Sequence, residues 1–268
     1  MDEFLQTLHH PSPQPKWLRW LRQLLPPLCW QCRQVLGGKT YQQPASPFLC
    51  SSCLLKLPWT DQHYHCRQCG NRTAEPGRIR CHECLEELWD LDESRSGFGY
   101  HEIIQHWILQ LKFFEQEHLA PLLGRLLALS LQKSQWLEKY DTLIPIPLHA
   151  SRLRKRGFNQ SLLLAHQLSR NVEHYFPEIQ SHWLKRIRAT RPQTELTLAE
   201  RLVNLEDAFS AHPDVQNNNI LLLDDVMTTG STLNAAAHCL KEAGADRVGA
   251  LVLCRRIWEP GREHSAEY

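Results

Sequence analysis

The sequence predicts an α/β fold, a parallel sheet flanked by helices, preceded by a small cysteine-rich domain. Three observations carry that expectation. Ile220–Leu223 is a run of four aliphatic residues, too short and too abruptly ended for a helix, and reads as a buried parallel strand. From about Ser96 onward strand and helix patterns alternate, the rhythm of a parallel sheet whose ligands lie at the carboxyl ends of its strands. Eight of the ten cysteines fall between positions 29 and 84 as four C-x-x-C pairs.

Taken in order, residues 1–15 contain His9, His10, Pro11, Pro13 and Pro15 and read as a disordered tail. Lys16 to Leu25 sets Trp17, Trp20, Leu21 and Leu24 on one helical face, with Arg19 and Arg22 elsewhere. Such a helix can touch a membrane surface or nucleic acid, but packing on its own domain is the preferred reading. The tail and helix occupy 1–28, the cysteine-rich domain 29–95 and the α/β domain 96–268. Leu85 to Glu93 is expected as a short acidic, helical connector. Tyr100 to Gln116 and His118 to Gln132 have helical patterns, and Thr142 to Ile146 is a strand closed by Pro145 and Pro147. Asn159 to Val172 reads as a helix with an asparagine cap and Phe158 as its staple. Trp183 to Arg188 is a strand and Ala199 to Phe209 a short helix. After the strand at 220–223, a helix runs from Leu233 to Ala243 with Gly244 as its cap, and Arg247 to Leu253 is the last strand.

Composition narrows the function. A formal net charge of +1 excludes a polycation, so nucleic-acid binding would need local patches. No apolar run reaches the roughly 18 residues that cross a membrane, and no membrane insertion is expected. Asp2 and Glu3 stand where a signal peptide has basic residues, which makes the expected location cytoplasmic. There a disulfide framework is disfavoured, and Cys29/Cys32, Cys50/Cys53, Cys66/Cys69 and Cys81/Cys84 read as the ligands of two structural zinc ions. Residues 29–84 carry seven Lys/Arg and three acids, net +4, which two zinc ions, each bound by four thiolates, would neutralise. Sequential pairing of the C-x-x-C units is the simplest arrangement, with interleaving as the alternative. His63, His65 and His82 could each replace a cysteine, although surface roles suit them better. Cys239 and Cys254 read as small buried apolar residues.

Beyond the strand at 220–223 stand Asp224 and Asp225, then Thr228-Thr229-Gly230-Ser231-Thr232 opening a helix. That turn can aim backbone N–H groups, hydroxyls and a helix N-terminus at one phosphate. The two acids can hold what the phosphate is attached to, such as sugar hydroxyls, so a nucleoside or sugar phosphate is the natural ligand. An ordinary strand–loop–helix corner is the plain alternative, but adjacent carboxylates there are costly without a ligand. A second segment, Arg152 to Gln160, packs Arg152, Arg154, Lys155 and Arg156 ahead of Gly157 and a helix start. A basic run is ordinarily a solvated turn; its place at a strand's carboxyl end favours an anion-binding loop. A third segment, Arg188 to Thr194, carries Arg188 and Arg191. It could close over a pyrophosphate or be an exposed crossover.

Residues 220–232 resemble the ribose-5-phosphate loop of type I phosphoribosyltransferases: four apolar residues, two acids, two apolar residues and T-x-G-[ST]. Together with the four cysteine pairs, the further segments resemble the ComF (competence protein F) family with its GntX-type relatives. The matching residues are Pro145-Ile146-Pro147-Leu148-His149; Arg152, Arg154 and Arg156-Gly157-Phe158-Asn159-Gln160; Arg188, Thr190 and Gln193; Arg201, Asn204 and Ala208-Phe209; and Lys112 within Leu111-Lys112-Phe113. The resemblance implies a double zinc ribbon followed by a type I phosphoribosyltransferase fold. It implies that Thr228 to Thr232 wrap the 5-phosphate of phosphoribosyl pyrophosphate (PRPP), and that Asp224 and Asp225 bond the ribose hydroxyls near a Mg²⁺. Arg152, Arg154, Lys155 and Arg156, or Arg188 and Arg191, would face the pyrophosphate. Natural competence and the use of imported DNA come with the family, and single-stranded DNA and DNA-uptake proteins are the partners it suggests.

The acceptor side is thinner. Thr228 stands where relatives acting on 6-oxopurines carry an acid, and a threonine hydroxyl is no general base near neutral pH. Three functions follow. The first is a Mg²⁺-dependent transferase with an unidentified nucleobase acceptor. The second is a non-catalytic module that senses PRPP or nucleotides, or binds single-stranded DNA through the basic loops with Trp183 and Phe158. The third is a scaffold in which the zinc knuckles recruit partners.

Overall fold

The computed structural model describes residues 27–36, 47–61, 64–73, 75–86, 89–114, 116–132, 134–188 and 208–256. The expected tail, the helix at 16–25, His63 and the stretch containing Thr190, Arg191, Gln193, Arg201 and Asn204 lie outside these residues. The chain divides into two compact units, Met1–Leu57 and Pro58–Tyr268. The first cysteine quartet falls in the first unit and the second in the second, and the expected boundary at 95/96 falls inside a strand.

In the first unit, the N–H of Cys29 donates to the Gln34 carbonyl at 2.7 Å and Leu28 bridges Val35. This closes a tight turn ahead of a short helix α1 (Ser51–Leu55). Trp30 and Phe48 meet edge to face at 5.0 Å.

In the second unit, a short helix α2 (Glu83–Glu86) leads to strand β1 (Glu93–Gly99), and helices α3 (Glu102–Phe113) and α4 (Ala120–Ser130) follow. Strand β2 (Thr142–Pro145) leads into α5 (Ala150–Arg156) and α6 (Gln160–Ser169), then into β3 (Glu178–Ile179), β4 (Leu184–Arg186) and β5 (Phe209–Ala211). Strand β6 (Asn219–Met227), helix α7 (Ser231–Glu242) and strand β7 (Arg247–Arg255) end the described chain. The main sheet has the order β1-β7-β6-β2-β3, with every pairing parallel, and β4 and β5 form a separate antiparallel pair. Burial on both faces explains the unbroken aliphatic runs: Ile220 to Leu223 and Val248 to Leu253 are all buried. Helix α4 approaches α6 closely because Gly124 has no side chain; a Cβ there would come within 2.3 Å of Gln167 Cβ.

Four expectations are corrected. The helical connector over 85–93 is wrong at its end, because Glu93 starts β1. The buried face of β1 carries Ser94, Ser96 and Phe98, so its hydrophobic alternation is nearly silent. Phe209 belongs to β5 rather than to the end of a helix. The acid pair lies within β6 rather than after it, since β6 runs to Met227 and stays in register with β7 through Val226↔Cys254 and Met227↔Arg255. The basic run at 152–156 is helical, ended by Gly157 at φ 84°.

Candidate functional site

The carboxyl ends of β2 and β6 and the N-termini of α6 and α7 converge. Asn159 caps α6 by accepting the Ser161 N–H at 3.0 Å, and its amide donates to the Ile146 carbonyl at 3.0 Å just beyond β2. The start of α6 is thereby fixed beside the acids of β6, where its positive dipole end favours carboxylates. Ser161 Oγ donates to Asp224 Oδ1 at 2.8 Å, and the Asp225 N–H donates to the same oxygen at 2.9 Å.

The two acids are held differently. Asp225 is 2% exposed, pairs with Lys112 Nζ at 2.5 Å and accepts Gln160 Nε2 at 3.2 Å. Burial opposes ionisation of Asp225, but the Lys112 ammonium outweighs it and holds the carboxyl below the usual range. Burial likewise works against the Lys112 charge, and the carboxylate overcomes it, raising the ammonium. Asp224 is half-buried and lines an open, shallow pocket. Burial first, and the neighbouring Asp225 charge second, push Asp224 up to about 7. A ligand that brings hydroxyl donors or a cation to Asp224 would favour its ionised form.

Thr228, Thr229, Gly230, Ser231 and Thr232 line the same pocket. Gly230 sits at φ 88°, and a Cβ there would come within 2.6 Å of both Met227 Cε and Trp89 Cη2. Only glycine allows the turn and admits the indole. Thr229 Oγ1 lies 2.7 Å from Ser231 Oγ and accepts the Ser231 N–H at 3.4 Å.

The basic residues separate. Arg156 is half-buried, donates to Gln160 Oε1 at 2.5 Å and lies over the Phe113 ring at 5.4 Å. It therefore reaches Asp225 through Gln160. Arg154 is exposed on α5, and Arg188 is exposed two residues past β4; neither lines the pocket. Sequence reasoning passed over Ser161, which holds Asp224, and saw Arg186 only within the basic stretch 185–191, although it lies within electrostatic reach of Asp224. Neither belongs to a chemical motif; Arg186 stood in a basic stretch, and Ser161 had no signal.

The cysteines form two quartets in sequential pairing: Cys29, Cys32, Cys50 and Cys53, then Cys66, Cys69, Cys81 and Cys84, with all ligand atoms of a quartet within 4.8 Å. Cys32 and Cys50 sulfurs lie 3.7 Å apart, and those of Cys69 and Cys81 3.6 Å apart. A tetrahedron with Zn–S bonds of about 2.3 Å has edges of about 3.8 Å, so both quartets fit zinc. In the second quartet, hydrogen bonds from Cys69 and Cys84 lower the Cys66 thiol, while Cys66 in turn raises Cys69 to about 12. Four thiols so close cannot all ionise without a cation. His82 is exposed and paired with Glu86 at 3.6 Å, and His65 Nδ1 meets the Asp61 carbonyl, so neither belongs to a quartet.

A phosphoribosyl transferase domain model matches residues 159–265. The DNA utilization protein YhgH of Salmonella typhimurium is 32% identical over 87% of this chain and 99% of its own length. Competence protein F of Haemophilus influenzae is 30% identical over 77% of this chain and 90% of its own. Competence protein ComFC of Bacillus subtilis is 30% identical over 77% and 84%. Among solved structures, the glutamine PRPP amidotransferase of B. subtilis aligns at a TM-score of 0.32 and 19% identity, over 51% of this chain and 26% of its own, too remote to support any inference.

Proposed function

The chain belongs to the family of the YhgH DNA utilization proteins and competence protein F, and we propose that its phosphoribosyltransferase domain binds PRPP with Mg²⁺ at the pocket under β6. The observation that carries this reading is the composition of one pocket: Asp224 and Thr228 to Thr232 line it together with the apolar Val226, Met227 and Leu233, at the N-terminus of α7. Backbone N–H groups and hydroxyls suit a 5-phosphate, and Asp224 suits the ribose hydroxyls. Arg156, and the exposed Arg154 and Arg188, are the cations we assign to the pyrophosphate. Mg²⁺ would supply charge neutralisation on that leaving group.

Transfer to a nucleobase is the finer reading. Asp224 supports it as the pocket's titratable group, although it sits on the ribose side. An acceptor that arrives as an anion needs no general base. The assay is pyrophosphate release from PRPP and Mg²⁺ with a panel of nucleobases; release that persists in Asp224→Asn would discard the assignment.

A second reading, single-stranded DNA binding within DNA uptake, is favoured by one surface. Arg152, Arg154 and Lys155 are exposed on α5, and Phe113 and Phe114 are exposed at the end of α3. Cations beside aromatic rings suit phosphates and stacked bases. Trp183, expected in that role, instead packs partly buried against the core. Binding that is independent of salt would eliminate this reading.

A further inference from the structure

The second cysteine quartet is linked through neighbouring side chains to both sides of the loop that lines the pocket. On the near side, Arg255, the last residue of β7 and 4% exposed, donates from Nε to the Cys69 carbonyl at 2.8 Å. Its Nη1 donates to the carbonyls of Met227 at 3.1 Å and Arg256 at 2.9 Å. Met227 is the residue before the loop, and Cys69 is a ligand position of the quartet. One guanidinium thus spans the two, using the fixed fork that a lysine lacks.

On the far side, Trp89 follows Cys84 by five positions and lays its ring against Gly230. The N–H groups of Asp90 and Leu91 then donate to Asn234 Oδ1, at 2.9 and 3.3 Å, in the first turn of α7. His238 of the same helix lies 3.2 Å from Asp90 Oδ2.

The turn carrying Cys69 is closed by its own backbone bonds, Gly70 N–H to Cys66 O at 2.9 Å and Cys66 N–H to Asn71 O at 2.8 Å. It is also joined to the sheet edge, where Ser94 N–H donates to Arg67 O at 2.6 Å and Gln68 Nε2 to Leu91 O at 3.2 Å. A metal that fixes the four sulfurs therefore fixes the Cys69 carbonyl, and through Arg255 the near flank of the loop; the Gln68 bond to Leu91 ties the same turn to the residues beside Trp89 on the far flank.

We propose that Arg255 and Trp89 are positioning residues that couple the second cysteine quartet to the pocket loop, so that the loop keeps its anion-binding shape only while that quartet holds its metal. The consequence for PRPP rests on the reading of the pocket given above; the coupling itself does not. A structural metal is thereby turned into a determinant of ligand affinity at the pocket.

The test is amide hydrogen exchange on the zinc-loaded full chain without ligand, with elemental analysis and PRPP titration alongside. Arg255→Lys should keep its zinc, yet residues 228–231 should exchange roughly tenfold faster, the worth of about one charge-assisted hydrogen bond. Amides of α4 should not change, which separates positioning from general destabilisation. Trp89→Leu should do the same from the other flank, and Cys81→Ser should do so with the loss of one zinc. PRPP affinity should fall in parallel, by about tenfold in the two zinc-retaining variants. Unchanged loop exchange in Trp89→Leu and in Arg255→Lys overturns the coupling; should Arg255→Lys not fold, Trp89→Leu and Cys81→Ser decide. Wild-type protein that binds no PRPP would refute the reading of the pocket, while the exchange data would still report the coupling.

Discussion

Replacing Lys112 by methionine should be the most damaging single change at this site, and the reason is visible in the pairing. Asp225 is 2% exposed, and its Oδ2 faces Lys112 Nζ at 2.5 Å while Oδ1 receives Gln160. Without the ammonium, a buried carboxylate remains beside a second carboxylate, at a cost of about 3–5 kcal/mol. For a unit of this size each kcal/mol shifts Tm by about 2–4 °C, so Tm should fall by about 10 °C. Asp225→Asn is milder, at about 1–2 kcal/mol, because asparagine still accepts from Gln160 and the Lys112 side chain, 20% exposed, can turn to water. The double variant should therefore lose less than the sum of the singles, by about 2 kcal/mol. The pH dependence has a definite sign. In the wild type Asp225 is held below its unfolded value, so its contribution is present at neutral pH and lost as pH falls. In Lys112→Met burial would raise Asp225 above its unfolded value, so the deficit is greatest near pH 8 and shrinks below about pH 4. Thermal unfolding followed by tryptophan fluorescence across pH measures this. A Tm loss under about 2 °C, or a deficit that ignores pH, would refute the reasoning.

Other consequences follow from the same geometry. Asp224, raised to about 7, favours its neutral form, so the stability linked to it is complete below its unfolded pKa and lost as pH rises through the folded one. Asp224→Asn should therefore raise Tm relative to wild type near pH 8 but not near pH 4, by on the order of 1 kcal/mol after solvent screening, as calorimetric scans would show. Gly230→Ala puts a Cβ within 2.6 Å of Trp89 and Met227 at φ 88°. It should cost at least about 1–2 kcal/mol from backbone strain alone, and weaken anion binding measured with inorganic phosphate. Elemental analysis should give two zinc ions per chain, and chelation should shift the protein's unfolding; one ion or none would contradict the two-quartet assignment.

Much of this was legible in the residues. The strand at 220–223 and the loop after it announce themselves because a doubly covered strand is aliphatic throughout and the turn that follows has a narrow chemistry. The cysteine spacing announces the metal sites, and sequential pairing emerges once the two turns fold. What stayed hidden depends on tertiary partners. Strand β1 presents serines to the interior, so its pattern resembles a loop. The run 152–156 looks like a basic loop because nothing in it is buried, yet His149 caps it by accepting the Ser151 N–H at 3.3 Å and it winds as a helix. The unequal roles of Asp224 and Asp225 could not be read from adjacency, since they depend on Lys112, more than a hundred positions away in sequence. Arg255 bears no motif at all; its role exists only where β7 ends beside the second quartet.

The central claim is that the pocket under β6 is a live PRPP site, and calorimetric titration of the zinc-loaded chain with PRPP and Mg²⁺ tests it most directly, with Asp224→Asn measured in parallel. The account predicts saturable binding in the micromolar range that is lost or weakened at least about tenfold in Asp224→Asn. No heat of binding from the wild-type protein, or equal affinity in the two proteins, would contradict it.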